Sequence, residues 1–400
     1  MIETTAVDRW HFVTGEYPPT PGGIGDYCRL LAKALTAQGA EVHVWTGSAL
    51  ASSSTEPAST GEGGIKVHCE AGSWSNHDLD TLNSRLDLQP APRKLLVHYT
   101  PNAFGRKGTN LAFCDWLIER RRRGDDVRIV FHEVRYLERP RESIRRRMLA
   151  WIQREMVRRL LKSASIVYVT VPYWDRLLSP FAPRHLRPLR TNWLPVPSNV
   201  PVVDDPIGSA EYRRRIAPSG EFVVGSFGTF HDVIGEMVAS IFPRLLQERP
   251  DRVGLLIGRG GEALAETLRS RHPDLSTRLV ATGALSGEGI SRSLGACDLM
   301  VQPYPDGVCG KRATAMAALA QGIPLASTDG KITEPIWRAS QAVCLSPDDD
   351  LDALIRRTER LIGSRDDRSR LGQAGRALYE SEFAMPRLIR RLTSGDREHT

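Results

Sequence analysis

Residues 298–325 read DLMVQPYPDGVCGKRATAMAALAQGIPL, and their order of residue types predicts the fold class. The apolar run at 299–302 predicts a short strand, and the prolines and Gly307 that follow it predict a loop. The small residues at 313–321 predict a helix that ends at Gly322. A strand, a loop and a helix in this order are typical of a parallel α/β sheet.

The start of this helix carries two cations, Lys311 and Arg312. A helix N-terminus presents unbonded backbone N–H groups and a partial positive charge, so cations beside it make a site for an anion. The pattern therefore indicates phosphate binding. The alternative is a buried helix that only joins two strands, with both cations solvated.

Length and composition limit the class of protein. A chain of 400 residues is longer than one ordinary domain, so we expect two. It has no run of eighteen apolar residues, no secretory pattern at residues 1–9 and six scattered cysteines, which favours a cytoplasmic protein without disulfides. The net charge of +7 indicates an anionic partner, but no nucleic-acid-binding module is recognisable, so we expect no nucleic acid.

The first half of the chain predicts the opening of a parallel sheet. Strands at 9–14 and 41–46 enclose a Pro/Gly-rich loop at 16–26 and a helix that stops at Gly39. Gly22 and Gly23 lack side chains, so a phosphate or sugar could approach the helix start. A plain turn explains this glycine pair as well.

Polar side chains follow two further predicted strands, at 94–99 and 127–131. They are His98, Tyr99, His132 and Glu133. Open α/β sheets bind ligands at the carboxyl ends of their strands, so we expect these groups to act in function. The alternative is a structural histidine with its hydrogen bonds satisfied.

A long basic helix is predicted from Arg141 to Lys162. It combines apolar residues at helical spacing with many arginines. Such a helix can rest on an anionic membrane surface, which would place the protein at the inner face of the membrane. The alternative, a helix whose apolar side faces the core and whose basic side is solvated, is the more usual one.

The order of several motifs resembles that of a GT-B glycosyltransferase of the retaining family 4 type. After a linker at 194–199, strands and helices alternate again, and the tail from Asp350 is helical. The motifs that carry the resemblance are Pro21-Gly-Gly-Ile-Gly, Gly39-Ala-Glu-Val-His-Val-Trp-Thr, Val130-Phe-His-Glu, Leu194-Pro-Val-Pro-Ser-Asn, Leu256-Ile-Gly-Arg-Gly, Ala281-Thr-Gly-Ala-Leu, Ala296-Cys-Asp-Leu-Met-Val-Gln-Pro and Ala317-Ala-Leu-Ala-Gln-Gly-Ile-Pro.

The resemblance implies an α/β protein with two Rossmann-like parallel-sheet domains that face a central cleft. It implies an acceptor-binding domain at 1–200, a nucleotide-sugar-binding domain at 201–375, and a helical tail at 376–400 that packs back on the first domain. The activity implied is sugar transfer from a nucleotide-diphosphate donor with retention of anomeric configuration. A bound metal or other cofactor is not expected, since no Asp-x-Asp pair is placed to hold one.

The resemblance also implies a set of site residues. Lys311 and Arg312 would neutralise the departing diphosphate, where charge grows as the glycosidic bond breaks. The acceptor, a small molecule, a glycan or a lipid-linked molecule, would meet loops at 48–64, 103–108 and 136–141. The candidate catalytic residues are His132, Tyr99, His98, Lys311 and Arg312, and the candidate donor-binding residues are Gly22, Gly23, Gly258, Thr282, Leu285, Asp306, Gly307, Lys311, Arg312 and Glu334.

Two features depart from the family pattern. Residues 228–232 read GTFHD where the family usually has an Arg and a Lys, and Lys311 and Arg312 could replace those cations. The family also has two glutamates eight positions apart, of which Asp306 matches the first and no acid at 313–317 matches the second. A non-catalytic GT-B-like scaffold and a nucleotide-sugar epimerase therefore remain alternatives.

Overall fold

A computed structural model describes residues 8–47, 59–60, 62–69, 71–135 and 143–394. The loop predicted to meet the acceptor at 136–141, most of the one at 48–64, and the start of the basic helix at 141–142 lie outside these residues. The chain divides into two compact units, Met1–Pro195 with Leu388–Thr400, and Val196–Arg387.

The first unit is built on a sheet in the order β3-β4-β2-β1-β5-β6-β7-β8. Its strands are parallel except that β3 runs antiparallel to β4. Its elements are β1 (Arg9–Thr14), α1 (Gly23–Thr36), β2 (Glu41–Thr46), β3 (Ser59–Thr60), β4 (Lys66–His68), α2 (Asn76–Asp87), β5 (Lys94–Tyr99), α3 (Leu111–Arg122), β6 (Asp126–Phe131), α4 (Ile144–Ser163), β7 (Ile166–Val169), α5 (Trp174–Leu178) and β8 (Asn192–Trp193).

The second unit is built on a parallel sheet in the order β11-β10-β9-β12-β13-β14. Its elements are α6 (Pro206–Ile216), β9 (Phe222–Phe227), α7 (Asp232–Leu246), β10 (Arg252–Ile257), α8 (Gly261–Arg271), β11 (Leu279–Ala281), α9 (Gly287–Gly295), β12 (Leu299–Gln302), α10 (Ala313–Ala320), β13 (Leu325–Asp329), α11 (Pro335–Ala339), β14 (Cys344–Pro347), α12 (Leu351–Gly363), α13 (Arg365–Leu378) and α14 (Met385–Ser394), whose residues from Leu388 belong to the first unit.

Both sheets have the apolar strands that a parallel sheet covered on two faces requires. Trp10, Phe12 and Val13 of β1 are completely buried, as are Leu95 and Leu96 of β5. In the second unit, strands β9, β10, β12 and β13 pack against apolar residues of α7 and α12 in one core. The predicted α/β class with two Rossmann-like parallel sheets and a helical C-terminal stretch is confirmed.

The C-terminal helix α14 packs on the first unit. Leu388, Ile389 and Leu392 are buried, and the Leu392 carbonyl accepts hydrogen bonds from Arg128 Nη1 at 3.3 Å and Tyr168 Oη at 3.0 Å. The two donors lie on the neighbouring strands β6 and β7 of the first sheet. The end of the chain therefore completes the core of the unit in which the chain begins.

Candidate functional site

His98 and His132 come together at the carboxyl edge of the first sheet. His98 lies in β5, His132 directly follows β6, and His98 Nδ1 shares a hydrogen bond with His132 Nε2 at 3.1 Å. Tyr27 of α1 presents its ring edge-on to both imidazoles, at centroid distances of 5.6 and 5.4 Å. Burial, helped by the His132 charge, lowers the pKa of His98 well below its usual value, so His98 is neutral at pH 7.

Two buried polar atoms beside this pair have no hydrogen-bond partner among the described residues, His98 Nε2 and Tyr27 Oη. Buried polar atoms are usually paired, so such atoms call for a physical explanation. A neutral imidazole and a hydroxyl can each donate to or accept from an incoming hydroxyl group. His98 Nε2 and Tyr27 Oη therefore have the chemistry to bind a hydroxyl group of a ligand.

Tyr99 lies on the opposite face of the sheet from His98, because successive strand residues alternate in direction. It is completely buried, with its ring 5.4 Å from that of Phe131 and 6.3 Å from that of Phe104. The sequence prediction grouped Tyr99 with the histidines. The structure separates them and places Tyr99 in an aromatic cluster.

The two glycines before α1 have different surroundings. A Cβ on Gly22 would overlap the carboxylate of Glu16, whereas a Cβ on Gly23 would meet nothing within 4 Å. Glu16 Oε1 accepts the N–H groups of Ile24 at 2.8 Å and Gly25 at 3.0 Å. The Glu16 carboxylate thus accepts two of the helix N–H groups that were predicted to be free for a phosphate or sugar. Of the two glycines, only Gly23 borders open space.

In the second unit, the loop between β12 and α10 is anchored to both neighbouring strands. Gln302 Oε1 accepts from Ser226 Oγ at 2.8 Å and from the Phe227 N–H at 2.9 Å, and Gln302 Nε2 donates to the Phe227 carbonyl at 2.7 Å. Thr328 Oγ1 accepts the Tyr304 N–H at 2.8 Å. This anchoring role of Gln302 was not predicted from the sequence. The signal that could have indicated it is a polar residue at the end of an otherwise apolar strand.

Arg312 is held over an aromatic ring at the start of α10. Its guanidinium carbon lies 4.6 Å from the ring centroid of Tyr304, whose hydroxyl is hydrogen-bonded to Thr314 Oγ1 at 2.8 Å. Burial raises the pKa of Tyr304 to about 12, so the phenol stays neutral. Arg312 and Lys311 are both half-buried, and Arg312 Nε is buried with no partner in the described chain. The structure therefore fixes one cation of the predicted pair and leaves it capacity to bind an anion.

The Glu334 side chain binds the backbone of the same β12–α10 loop. Only 4% of its surface is exposed; its Oε1 accepts the Gly310 N–H at 2.9 Å and its Oε2 accepts the Trp337 indole N–H at 2.7 Å. Burial raises the pKa of Glu334 to about 7. Its predicted donor contact remains a prediction, and its observed contacts position the backbone immediately before Lys311.

Gly307 is required by close backbone packing. Its φ is +88°, and a Cβ there would overlap Thr333 Oγ1 and the Gly330 nitrogen. The neighbouring Asp306 is exposed, and its carbonyl accepts the Ile332 N–H at 3.2 Å. The loop after β12 is thus tied to the loop after β13, with the Asp306 side chain left in solvent.

The residues predicted near a nucleotide base lie beside the edge strand β11. The Gly258 N–H donates to Thr282 Oγ1 at 3.0 Å, and a Cβ on Gly258 would overlap the Gly228 carbonyl. A groove of about 490 Å³ is lined by Thr282 and the partly exposed Leu285, together with Tyr212 and other residues. This space has room for a planar base.

Comparison with known proteins agrees with the observed fold. Residues 221–364 match the family model of Glycosyl transferases group 1. Three solved structures resemble the whole chain: a sucrose-phosphate synthase from Thermosynechococcus elongatus (TM-score 0.72, 16% identity, 98% of each chain covered), a glycosyltransferase from Rickettsia africae (0.73, 12%, 98% of each) and HepE from Anabaena with UDP and glucose (0.67, 12%, 98% of this chain and 100% of that one). No curated protein matches the chain in sequence.

The chain has the GT-B fold. The resemblance to GT-B glycosyltransferases, predicted from the sequence motifs, is confirmed. The family model covers most of the second unit. That unit contains the anchored loop, Arg312 over Tyr304 and the groove beside β11.

The described residues contain neither a metal-binding cluster nor a membrane-spanning helix. Within the described ranges, no group of three or more His, Cys, Asp or Glu side chains is placed to hold a metal ion. Nor does any helix described here have both the length and the apolar character to span a bilayer.

Proposed function

We propose that this protein transfers a sugar from a nucleoside diphosphate donor to an acceptor and keeps the anomeric configuration. The observation that carries the proposal is the β12–α10 loop, which places Lys311 and Arg312 at a helix start within a region that matches a glycosyl transferase family. A developing diphosphate charge is stabilised by fixed cations and helix N–H groups that need no reorganisation during the reaction.

Arg312 is the better placed of the two cations. Its guanidinium is already stacked on Tyr304, so little conformational entropy is lost when it binds a phosphate. Glu334 holds the Gly310 N–H and so orients the backbone from which Lys311 extends. The metal-independent chemistry that we expect requires such cations, because no bound ion would neutralise the leaving group.

Uridine diphosphate is the first donor nucleotide to test. The structures of HepE contain UDP, UDP-glucose, or UDP and glucose. A further structure similar to this chain, a trehalose-6-phosphate protein from E. coli, contains UDP-2-fluoro glucose. In this chain the groove at Thr282 and Leu285 would take the base. His98 and His132 would orient a sugar hydroxyl, and the acceptor is a small molecule, a glycan or a lipid-linked molecule.

The test is a thermal-shift panel of uridine, guanosine, adenosine and thymidine diphosphates. One of them is expected to raise the Tm of the wild-type protein. Lys311→Ala and Arg312→Ala should each weaken its binding by about 10- to 100-fold, the effect of losing one charge-assisted contact. Arg365→Ala, which removes an exposed arginine of the same unit, is the matched control and should bind like the wild type.

Three other outcomes would change the assignment. Equal stabilisation of both variants and the wild type would reject the roles of Lys311 and Arg312. Nucleotide binding without turnover of any sugar nucleotide on a broad acceptor panel would identify a non-catalytic scaffold, which the absence of an acid at 313–317 would then explain. Donor turnover that needs no acceptor would identify an epimerase.

A further inference from the structure

The first half of α4 leaves three large apolar side chains in solvent. Ile144 is 83% exposed, Met148 60% and Trp151 59%, and their spacing of four and three residues puts them on one face of the helix. The second half of the same helix buries Met156 and Leu160 completely. The interpretation that the apolar positions of this helix face the core therefore fails at Ile144, Met148 and Trp151 and holds for its C-terminal half.

This exposed face, which we call the α4 stripe, is Ile144, Met148 and Trp151. It forms one continuous surface, because the three residues line a shallow groove of about 380 Å³ together with Arg147 and Arg154. Scattered exposed apolar residues are normal on proteins, but a contiguous apolar patch with a polar rim marks an interaction site.

The charged residues that line the groove of the α4 stripe are the cations Arg147 and Arg154. Residues 144–154 contain four arginines and no acid. The first acid of the described helix, Glu155, accepts hydrogen bonds from Arg158 and Arg159. An apolar strip with a tryptophan and arginines beside it is complementary to a surface that offers hydrocarbon beneath a layer of negative charge.

We propose that the α4 stripe docks the protein on an anionic lipid bilayer, with α4 lying in the plane of the interface. Trp151 and Met148 enter the boundary between headgroups and acyl chains, where the amphipathic indole ring is favoured. The flanking arginines reach the lipid phosphates. Self-association through this face would bring like charges together, so a second copy of the chain fits it less well.

This proposal does not depend on sugar transfer. It concerns a helix surface of the first unit, whereas Lys311 and Arg312 belong to the second. If the sugar-transfer proposal is also correct, a bilayer-docked enzyme would suit a lipid-linked acceptor.

The test is flotation with phosphatidylcholine vesicles, with and without about 30% phosphatidylglycerol. We expect the wild-type protein to float only with the anionic vesicles. The stripe variant Met148→Ser/Trp151→Ser should bind at least about tenfold more weakly, because two apolar side chains no longer leave water. The charge variant Arg145→Gln/Arg147→Gln should bind about 25-fold more weakly, at roughly fivefold per arginine.

The matched control is Leu88→Ser, which removes another large exposed apolar residue (75% exposed) from the same unit and should float like the wild type. Circular dichroism melts establish that every variant is folded. Quenching of Trp151 emission by brominated lipid, absent in Trp151→Phe, would locate the contact.

Three results would overturn the proposal: no flotation of the wild type with anionic vesicles, equal flotation with neutral vesicles, or unchanged flotation of both double variants. A dimer in sedimentation that the stripe variant makes monomeric, without vesicle binding, would assign the stripe to a second copy instead. Unchanged thermal shifts with nucleoside diphosphate in both double variants would keep this result separate from the donor site.

Discussion

Glu334 should make the stability of the protein depend on pH near neutrality. Its carboxyl group is buried, accepts from Gly310 and Trp337, and has a folded-state pKa raised by burial to about 7. Between the unfolded-state pKa and about pH 7, the folded protein keeps a proton that the unfolded chain has lost. Stability therefore falls as pH rises through this window and levels off above it.

The size of the effect follows from the pKa shift. Raising the pKa from 4.5 to about 7 corresponds to about 3 kcal/mol, since one pKa unit is about 1.4 kcal/mol. Glu334→Gln imitates the protonated side chain, because its amide offers one acceptor oxygen and cannot ionise. Relative to the wild type, this variant should therefore gain about 3 kcal/mol of stability between about pH 5 and about pH 8.

The assay is urea unfolding of both proteins at several pH values across this window, and the quantity compared is the difference in the free energy of unfolding. Glu236→Gln, which removes an exposed carboxylate of the same unit, controls for general charge effects and should give a difference independent of pH. Parallel stability profiles for the wild type and Glu334→Gln would refute the reasoning. That result would mean that the Glu334 carboxylate is solvated or paired in solution.

Two further predictions concern packing in the first unit. Gly22→Ala should lower the Tm, because the added Cβ overlaps the Glu16 carboxylate. Gly23→Ala should leave the Tm unchanged, because the added Cβ meets nothing within 4 Å. A loss of donor turnover in Gly23→Ala would therefore report that the donor approaches this glycine. Asp125→Asn should cost about 3 kcal/mol in urea titrations, the lower end for a buried ion pair. The buried Arg120 loses the carboxylate that its Nε contacts at 2.5 Å but keeps that of Asp87 at 2.6 Å. Asp115→Asn, at an exposed ion pair, should cost about 1 kcal/mol or less, and equal costs for the two would contradict the argument.

The prediction of the elements succeeded where local signals were strong. Strands at 94–99 and 299–302 were predicted to the residue, because buried parallel strands are short apolar runs with clear ends. The helix Asn76–Asp87 was missed, although Ser75 and Asp78 form a capping box there. Its apolar positions are few, so the periodic signal that identifies helices was weak.

The residue types of the candidate site were also visible in the sequence, but their neighbours were not. Lys311 and Arg312 lie at a helix start, as predicted. The stacking of the Arg312 guanidinium on the Tyr304 ring was not predicted. Gly310 and Glu334 are separated by 24 residues along the chain, and a hydrogen bond over such a distance leaves no pattern in the sequence.

The two α/β units, the strand-end position of His98 and His132, and the cations at the start of α10 could all be predicted from the sequence. These features depend on composition, turn residues and periodicity, which act over a few neighbouring positions. Strand alternation also places Tyr99 on the opposite face from His98. The packing of the whole chain was needed to show that Tyr99 contacts Phe131 and that Ile144, Met148 and Trp151 of α4 stay exposed. Helical periodicity is the same for a buried and an unburied face, so exposure depends on whether another element packs there.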